Sequence, residues 1–153
     1  YPIHIGSGLL AELTPSSYGL SPGNRAFIVT DREVAARWLS PLTQALDDSE
    51  VAWESFTLEP GESSKSFANF QWLCEAMLAS APDRQTRILA LGGGVVGDLA
   101  GFVASVLLRG VDYIQLPTTL LAQVDSAIGG KTAINSGAGK NLIGSFYQPS
   151  APP

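Results

Sequence analysis

Apolar and amphipathic stretches alternate along this chain, and the alternation predicts strands that alternate with helices. Short apolar runs between turn residues predict strands at residues 1–5, 26–30, 51–58, 88–91 and 111–116. Apolar residues at helical spacing and helix-start signals predict helices at residues 8–13, 32–47, 67–79, 96–108 and 120–126. We therefore predict an α/β fold with a Rossmann-like, largely parallel sheet flanked by helices.

Three of the predicted helices show which side they bury. The helix at residues 96–108 is apolar on nearly all sides, so we expect it to be buried. The amphipathic helix at residues 67–79 buries a face formed by Phe70, Leu73, Cys74 and Met77. The predicted core face of the helix at residues 32–47 consists of Val34, Trp38, Leu39, Leu42 and Leu46.

Composition and charge narrow the class of protein. A chain of 153 residues fits one domain, and its net charge of −5 argues against a nucleic-acid partner. We find no signal peptide and no apolar run near the roughly 18 residues that span a membrane, so we expect no membrane partner. Cys74 is the only cysteine, which leaves no disulfide within the chain and fits a cytoplasmic location. With His4 as the only histidine, no zinc-ligand spacing exists.

A glycine-rich turn follows the apolar strand at residues 88–91. Gly92, Gly94 and Gly97 match the pattern G-x-G-x-x-G, and a predicted helix begins directly after them. The free N–H groups and the dipole of a helix N-terminus favour an anion there. The acid that normally follows about 20 residues later is replaced by residues 117–119, Pro-Thr-Thr. The turn therefore fits either a variant nucleotide site or a helix-packing turn.

The three lysines of the chain share one kind of neighbourhood. Lys65, Lys131 and Lys140 each lie beside glycine or serine in a predicted polar loop. Any one of them could be a solvated loop charge, but the three together indicate binding of phosphate or carboxylate groups. Neither glycine-lysine pair completes a P-loop, because Asp125 and Ile134 stand where the first glycine is required. We therefore do not expect a nucleoside-triphosphate hydrolase.

Three charged residues each have two interpretations. Asp31 follows a strand end, where it can cap the next helix, contact a ligand, or do both. Asp98 would repel phosphate, so it either complements the helix dipole or faces hydroxyl or amide groups of a cofactor. Arg109 ends a predicted helix before Gly110, where it complements the dipole or serves a site.

Four runs of sequence resemble one family. GGGVVGDLAGF, RGVDYIQLPTTLLAQVDSAIGGKTAIN and GKNLIGSFYQP closely resemble the 3-dehydroquinate synthase family, and PGESSKS matches that family's earlier nucleotide loop. The resemblance implies that residues 1–153 are the NAD-binding N-terminal domain of a two-domain fold. It also implies that a helical, metal-binding C-terminal domain lies outside this chain, with zinc or cobalt as the metal of the full-length enzyme.

The family converts 3-deoxy-D-arabino-heptulosonate 7-phosphate to 3-dehydroquinate and phosphate in the shikimate pathway, with NAD as cofactor. The resemblance assigns to the NAD side Asp31, Glu62, Lys65, Gly93, Gly94, Val95, Asp98, Thr118, Thr119, Lys131 and Lys140. It assigns to the substrate side Arg109, Asp125, Lys131 and Asn141. Arg109 is expected to reach the substrate of a partner subunit in a homodimer. No metal ligand falls within this chain.

The sequence departs from the family pattern at one position, and two other functions are alternatives to dehydroquinate synthase. The family commonly has two serines after the aspartate, and here Ala127 follows Ser126. A related sugar-phosphate cyclase, such as an aminodehydroquinate or 2-deoxy-scyllo-inosose synthase, is the nearest alternative, and residues 129–131 favour dehydroquinate synthase over the latter. A non-catalytic nucleotide-binding module is another alternative.

We expect no turnover from the domain alone. We also expect four apolar side chains near its end to be exposed, namely Leu142, Ile143, Phe146 and Tyr147.

Overall fold

A four-stranded parallel sheet forms the centre of the fold. The computed structural model describes residues 1–12 and 14–150. The sheet consists of β1 (Arg25–Asp31), β2 (Ala52–Leu58), β3 (Arg87–Gly92) and β4 (Tyr113–Pro117), in the order β2-β1-β3-β4. All three pairings are parallel, so the carboxyl ends of the strands lie at one edge of the sheet. The predicted parallel α/β fold is confirmed.

Both faces of the sheet are buried under helices. Successive residues of each strand point to opposite sides, so each strand contributes side chains to both faces. On β1, Phe27 and Val29 join one apolar cluster, whereas Ala26 and Ile28 join the other. Helices cover both faces. They are α1 (Leu9–Glu12), α2 (Arg32–Val34, continued by the π-helical turn Ala35–Leu39 and by Ser40–Asp48), α3 (Phe67–Ala79), α4 (Gly94–Val106) and the π-helical turn α5 (Ala122–Ser126).

The predicted burial of α3 and α4 is confirmed. Leu73 and Met77 of α3 are fully buried, and Cys74 is half-buried against the same cluster. Burial also raises the pKa of the Cys74 thiol, with a smaller contribution from Glu75, which fits a structural rather than a reactive cysteine. Helix α4 buries seven of its residues, including two glycines that bring its backbone close to its neighbours.

Two predictions about side-chain burial and strand location are wrong. Trp38 is exposed, because the π-helical turn Ala35–Leu39 shifts the helical phase on which its predicted inward position depended. Residues 1–5 form no strand: Pro2 offers no N–H, Ile3 and Ile5 are exposed, and the segment joins neither described sheet. The predicted helix at residues 8–13 is found as α1, and its last predicted residue, Leu13, lies outside the described residues.

An antiparallel hairpin follows α5 where the sequence predicted polar loops. Its strands are β5 (Lys131–Ser136) and β6 (Gly139–Phe146). The hairpin packs on α4, since a Cβ atom on Gly101 would lie 2.4 Å from Cγ2 of Thr132. Ile134 is fully buried in the core. The loop prediction for Lys131 and Lys140 is therefore wrong, because both lie on strands.

The end of the hairpin is tied to the sheet by two tyrosines. The rings of Tyr113 and Tyr147 stack at a centroid distance of 5.9 Å. The Tyr147 hydroxyl donates to the Val111 carbonyl at 3.0 Å, and the Tyr113 hydroxyl donates to the Tyr147 carbonyl at 3.1 Å. These contacts tie the end of the hairpin to the start of β4.

Part of the hairpin and α5 presents apolar side chains to solvent. The predicted exposure is confirmed for Leu142 and Phe146, which are 63% and 86% exposed. It is wrong for Ile143 and Tyr147, which are half-buried against the core. None of the described helices is long and apolar enough to cross a membrane.

Candidate functional site

The glycine turn between β3 and α4 has the geometry of an anion-binding helix N-terminus. Gly93 is the N-cap in an extended conformation, and no side chain caps the first turn. The first N–H groups of the helix that begins at Gly94 are therefore open to a ligand. The predicted succession of strand, glycine turn and helix is confirmed.

The structure also shows that two glycines of the G-x-G-x-x-G pattern serve close packing. A Cβ atom on Gly97 would lie 2.6 Å from Oε1 of Gln115 on β4, and one on Gly92 would lie 2.6 Å from Val96. Gly97 thus lets α4 approach the sheet, as the third glycine of such patterns does. The two interpretations of the turn are compatible, because the packing glycines bring the open helix terminus to the strand ends.

Three predicted cofactor-side residues lie at the same edge of the sheet. Asp31 ends β1, and its Oδ1 accepts a hydrogen bond from the Val34 N–H at 2.9 Å, which confirms its capping role. Thr118 follows β4 and donates its N–H to the Gly92 carbonyl at 3.0 Å. Thr119 caps the turn of α5 through the Ala122 N–H at 3.2 Å.

Two hydroxyl groups near the glycine turn have no hydrogen-bond partner among the described residues. Thr118 Oγ1 and Ser126 Oγ are both buried. A buried hydroxyl without a partner is costly, so such groups commonly mark a place that a ligand or water completes. Ser126 Oγ lies 3.0 Å from the position of a Cβ atom on Gly94, directly against the helix start.

A buried ion pair lies behind the turn. Lys65 follows the short 3₁₀ turn Glu62–Ser64, and its side chain is 4% exposed. Its ammonium donates to Asp98 Oδ2 at 2.6 Å and also to Asn141 Oδ1, and it lies 3.9 Å from Glu62 Oε1. The alternative of a solvated loop charge therefore does not apply to Lys65, which is held by groups from three different segments.

The environment of Asp98 combines opposing effects on its pKa. Burial raises the pKa of this carboxyl group, Lys65 lowers it through a hydrogen bond and its charge, and Glu62 raises it slightly. The net direction is upward, because desolvation is the largest effect. Asp98 lies in the second turn of α4, beyond the first-turn position that its interpretation as a simple dipole complement requires.

A cavity of about 430 Å³ opens between α4, α5 and the hairpin. Four charged or amide side chains line it, namely Asp98, Asp125, Lys131 and Asn141. Asp125 and Lys131 are exposed to solvent there, so both are available to a ligand. Ser126 lines the same cavity. The structure thus brings together three of the four residues assigned to the substrate side.

The fourth, Arg109, lies elsewhere. It is exposed and lines a separate recess with Arg84 and Leu108. The chain turns sharply at the 3₁₀ turn Leu107–Arg109. Positive φ angles of 49°, 67° and 120° at Leu108, Arg109 and Gly110 produce this turn. Arg109 therefore does not line the cavity of its own chain.

Known proteins resemble this chain in both sequence and structure. Residues 55–152 match the model of the 3-dehydroquinate synthase N-terminal family. The chain belongs to the 3-dehydroquinate synthase family. A curated member, the 3-dehydroquinate synthase of Rhodopseudomonas palustris, is 54% identical over 149 residues, which are 97% of this chain and 39% of that relative. The chain thus spans well under half the length of the curated relatives it matches.

Solved structures of related enzymes share the fold of this family member. A 2-epi-5-epi-valiolone synthase from Streptomyces hygroscopicus subsp. jinggangensis 5008, with NAD⁺ and Zn²⁺ bound, is 32% identical with a TM-score of 0.86, over 98% of this chain and 41% of its own. A 2-deoxy-scyllo-inosose synthase complexed with carbaglucose-6-phosphate, NAD⁺ and Co²⁺ is 28% identical with a TM-score of 0.82, over 94% of this chain and 39% of its own.

The remaining residues that the family resemblance singled out lie around these features. Glu62 is partly exposed beside Lys65, and Lys140 is exposed on β6. Gly94 and Val95 form the first turn of α4. No group of three His, Cys, Asp or Glu side chains in the described residues could hold a metal ion.

The sequence analysis missed the hairpin, Asn135 on it and the role of Ser126 on α5. The signal that would have predicted it is the pair of β-branched residues Thr132 and Ile134 at a spacing of two, followed by the glycine-rich turn at residues 136–139. Asn135 of this hairpin joins the Lys65 region and was not singled out. Ser126 was noted only as the serine that precedes the departure from the family pattern at Ala127.

Proposed function

We propose that this chain is the NAD- and substrate-binding part of a 3-dehydroquinate synthase. The full protein would convert 3-deoxy-D-arabino-heptulosonate 7-phosphate to 3-dehydroquinate and phosphate. The observation that carries the proposal is the cavity shared by Asp125, Lys131 and Asn141, next to the Lys65–Asp98 pair. A phosphorylated sugar acid needs both cations and hydrogen-bond acceptors at fixed points, and this cavity offers both.

The residues at the strand ends fit NAD. The open N-terminus of α4 suits its pyrophosphate, because the N–H groups and dipole there favour negative charge. Asp31 and the unpaired hydroxyl of Thr118 offer an acceptor and a donor for ribose or amide groups. When bound, NAD would accept a hydride from a substrate hydroxyl carbon and return it later in the turnover. We assign its binding to the cofactor-side residues predicted above, with Lys65 acting through Asp98.

The residues of the cavity fit the substrate. Lys131 is an exposed cation that can neutralise a carboxylate or phosphate, and Asp125 can accept hydrogen bonds from sugar hydroxyls. Asn141 Oδ1 is occupied by Lys65, whereas its Nδ2 donates to no other described residue. The amide is therefore oriented with its donor side free, and a donor is what an anionic oxygen requires.

We further propose that the complete active site needs protein beyond this chain. The described residues do not fit a metal ion, so we assign zinc or cobalt binding to a helical C-terminal domain and derive no step through the metal here. Arg109 does not line its own cavity and would serve the site of a partner subunit in a homodimer. By itself this chain would bind ligands without turnover.

The related cyclases are the second candidate. Two of them share the fold at 28% and 32% identity, compared with 54% for a curated dehydroquinate synthase. The higher identity favours dehydroquinate synthase. A non-catalytic nucleotide module is less compatible with a second, charged cavity beside the cofactor edge.

The test is turnover by the full-length protein. Purified protein with NAD and zinc is given the heptulosonate phosphate, and phosphate release and 3-dehydroquinate are measured. We expect both products in equal amounts. Glucose 6-phosphate, the substrate type of an inosose synthase, is the control. Turnover of glucose 6-phosphate alone would establish the cyclase alternative, and turnover of neither substrate with intact NAD binding would favour the binding module. Phosphate release by residues 1–153 alone, near the full-length rate, would refute the need for further protein.

A further inference from the structure

We propose that Asn135 is a positioning residue that holds the cofactor-side turn at Glu62 and Lys65 in register with Asn141 of the hairpin. The proposal rests on the proposed function, since it concerns ligand-binding roles of those three residues. Asn135 is not among the residues that line the cavity, so it would act through its neighbours rather than by touching the ligand.

Asn135 makes three hydrogen bonds, one to each of these residues. Its backbone N–H donates to the Lys65 carbonyl at 2.9 Å. Its side-chain Nδ2 donates to Glu62 Oε1 at 2.8 Å. Its Oδ1 accepts from the Asn141 backbone N–H at 3.0 Å. Among the described residues, it is the one that bonds directly to all three.

The chemistry of the partners fixes the orientation of the Asn135 amide. A backbone N–H can only donate, so Asn141 must face the carbonyl oxygen of the amide. An ionised carboxylate can only accept, so Glu62 must face the amide nitrogen. Any residue without one donor and one acceptor at these two places would lose or reverse one of the contacts.

The hairpin is irregular where Asn135 lies. The pairing of β5 with β6 shifts between Ile134 and Ser136, and Asn141 has a φ of 57° in the left-handed region. Asn141 therefore directs its N–H to a side chain of the opposite strand instead of to that strand's backbone. This conformation brings its side chain to the Lys65 ammonium. The contacts run from Glu62 through Asn135 and Asn141 to Lys65, which lies 3.9 Å from Glu62 and closes the ring.

This ring predicts a coupled loss when Asn135 is truncated. In the full-length protein, Asn135→Ala should raise the Kd for NAD, measured by calorimetry, by about 10-fold, and the KM for the heptulosonate phosphate by about the same factor. A factor of about 10 is the effect expected from the loss of one hydrogen bond to a charged group. The value of kcat should change less, because Asn135 touches no reacting atom. In protein without any ligand, amide exchange at Asn141 should accelerate by about 10-fold, since its N–H loses its acceptor.

An exchange of donor and acceptor separates positioning from general damage. Asn135→Asp keeps the acceptor for Asn141 but sets a second carboxylate against Glu62, so NAD should bind more weakly than in Asn135→Ala. Glu62→Gln added to Asn135→Asp restores one donor and one acceptor with the original net charge. This double variant should bind NAD at least about 3-fold more tightly than the product of the two single effects predicts.

Ser136→Ala is the matched control. Ser136 is the next residue on the same strand, and its hydroxyl only accepts from the Ala138 N–H in the turn. Its removal should leave both ligand affinities and the exchange rate at Asn141 unchanged. Wild-type affinities and exchange in Asn135→Ala, or a double variant no better than the two single effects combined, would overturn the proposal. Failure of the wild-type protein to bind NAD would instead refute the proposed function, whatever the exchange at Asn141 shows.

Discussion

The ammonium of Lys65 lies 2.6 Å from Oδ2 of Asp98, and the lysine side chain is almost completely buried. A lysine at such a place must be neutralised, because an unpaired buried charge is strongly unfavourable. Asp98 provides the countercharge from the second turn of α4. The pair therefore joins the cofactor-side turn to the helix whose N-terminus we assign to the cofactor.

Removal of the lysine should destabilise the fold. Lys65→Met leaves the Asp98 carboxylate partly buried without its cation, so we expect a loss of roughly 3 kcal/mol in unfolding free energy. Urea denaturation of the full-length protein measures it. Lys65→Met combined with Asp98→Asn removes both charges and should recover part of the loss. Equal loss in the single and double variants would show that packing, not charge, is responsible.

The same variant should respond to pH in a definite direction. The pKa of Asp98 is raised in the folded protein, so its ionised form costs stability at neutral pH, and that cost disappears as the pH falls. Lys65→Met removes the main influence that lowers this pKa. The stability gap between Lys65→Met and the wild type should therefore narrow between about pH 7 and pH 4.5. A gap that widens on acidification would contradict this account.

Loss of the Asp98 charge should weaken the cofactor site. We expect Asp98→Asn to raise the Kd for NAD by about 10-fold in the full-length protein, because it frees Lys65 to move and removes an acceptor. Calorimetry provides the measurement. Glu75→Gln, an exposed acid on α3 with the same change in charge, is the control and should bind NAD normally. Unchanged affinity in Asp98→Asn would remove this residue from the cofactor site.

Lys131 should matter for catalysis and little for stability. Its side chain is exposed at the cavity, so Lys131→Ala should lower kcat/KM by about 100-fold, as removal of one electrostatic contact does. The melting temperature should barely change. Arg37→Ala removes another exposed cation on α2 and should leave both quantities unaltered. Normal activity in Lys131→Ala together with a large fall in melting temperature would reassign Lys131 to the fold.

The contact between α4 and the hairpin should be intolerant of added volume. A Cβ atom on Gly101 would lie 2.4 Å from Thr132 Cγ2 and 3.0 Å from the Tyr113 ring. Gly101→Ala should therefore destabilise the protein by about 2 kcal/mol, despite the better helix propensity of alanine. Gly137→Ala is the control, since a Cβ atom there meets nothing within 4 Å. Equal stability of the two variants, measured by urea denaturation, would contradict the packing described here.

Local pattern was sufficient for much of this protein. Apolar runs and helical spacing predicted β1 to β4 and their helices. The signal is strongest for β1 and β3, because strands buried on both faces of a parallel sheet are nearly continuous apolar runs. The glycine turn between β3 and α4 was predictable because its strand and helix context is local. The four runs at residues 60–66, 92–102, 109–135 and 139–149 predicted the family, which the match over residues 55–152 confirmed.

Tertiary contacts decided the rest. Trp38 faces solvent because a π-helical turn shifts the phase of α2. Residues 1–5 pair with no described strand, and Ile3 and Ile5 among them are exposed. Lys65 has the sequence context of a loop cation, yet groups 33 and 76 residues away along the chain bury and neutralise it. Asn135 ends one of the family runs, but no local pattern in the sequence gives it a role. Its bonds to Glu62 and Lys65 exist only because the hairpin lies against the turn at residues 62–65, and contacts between segments so distant in sequence leave no periodic signal in either of them.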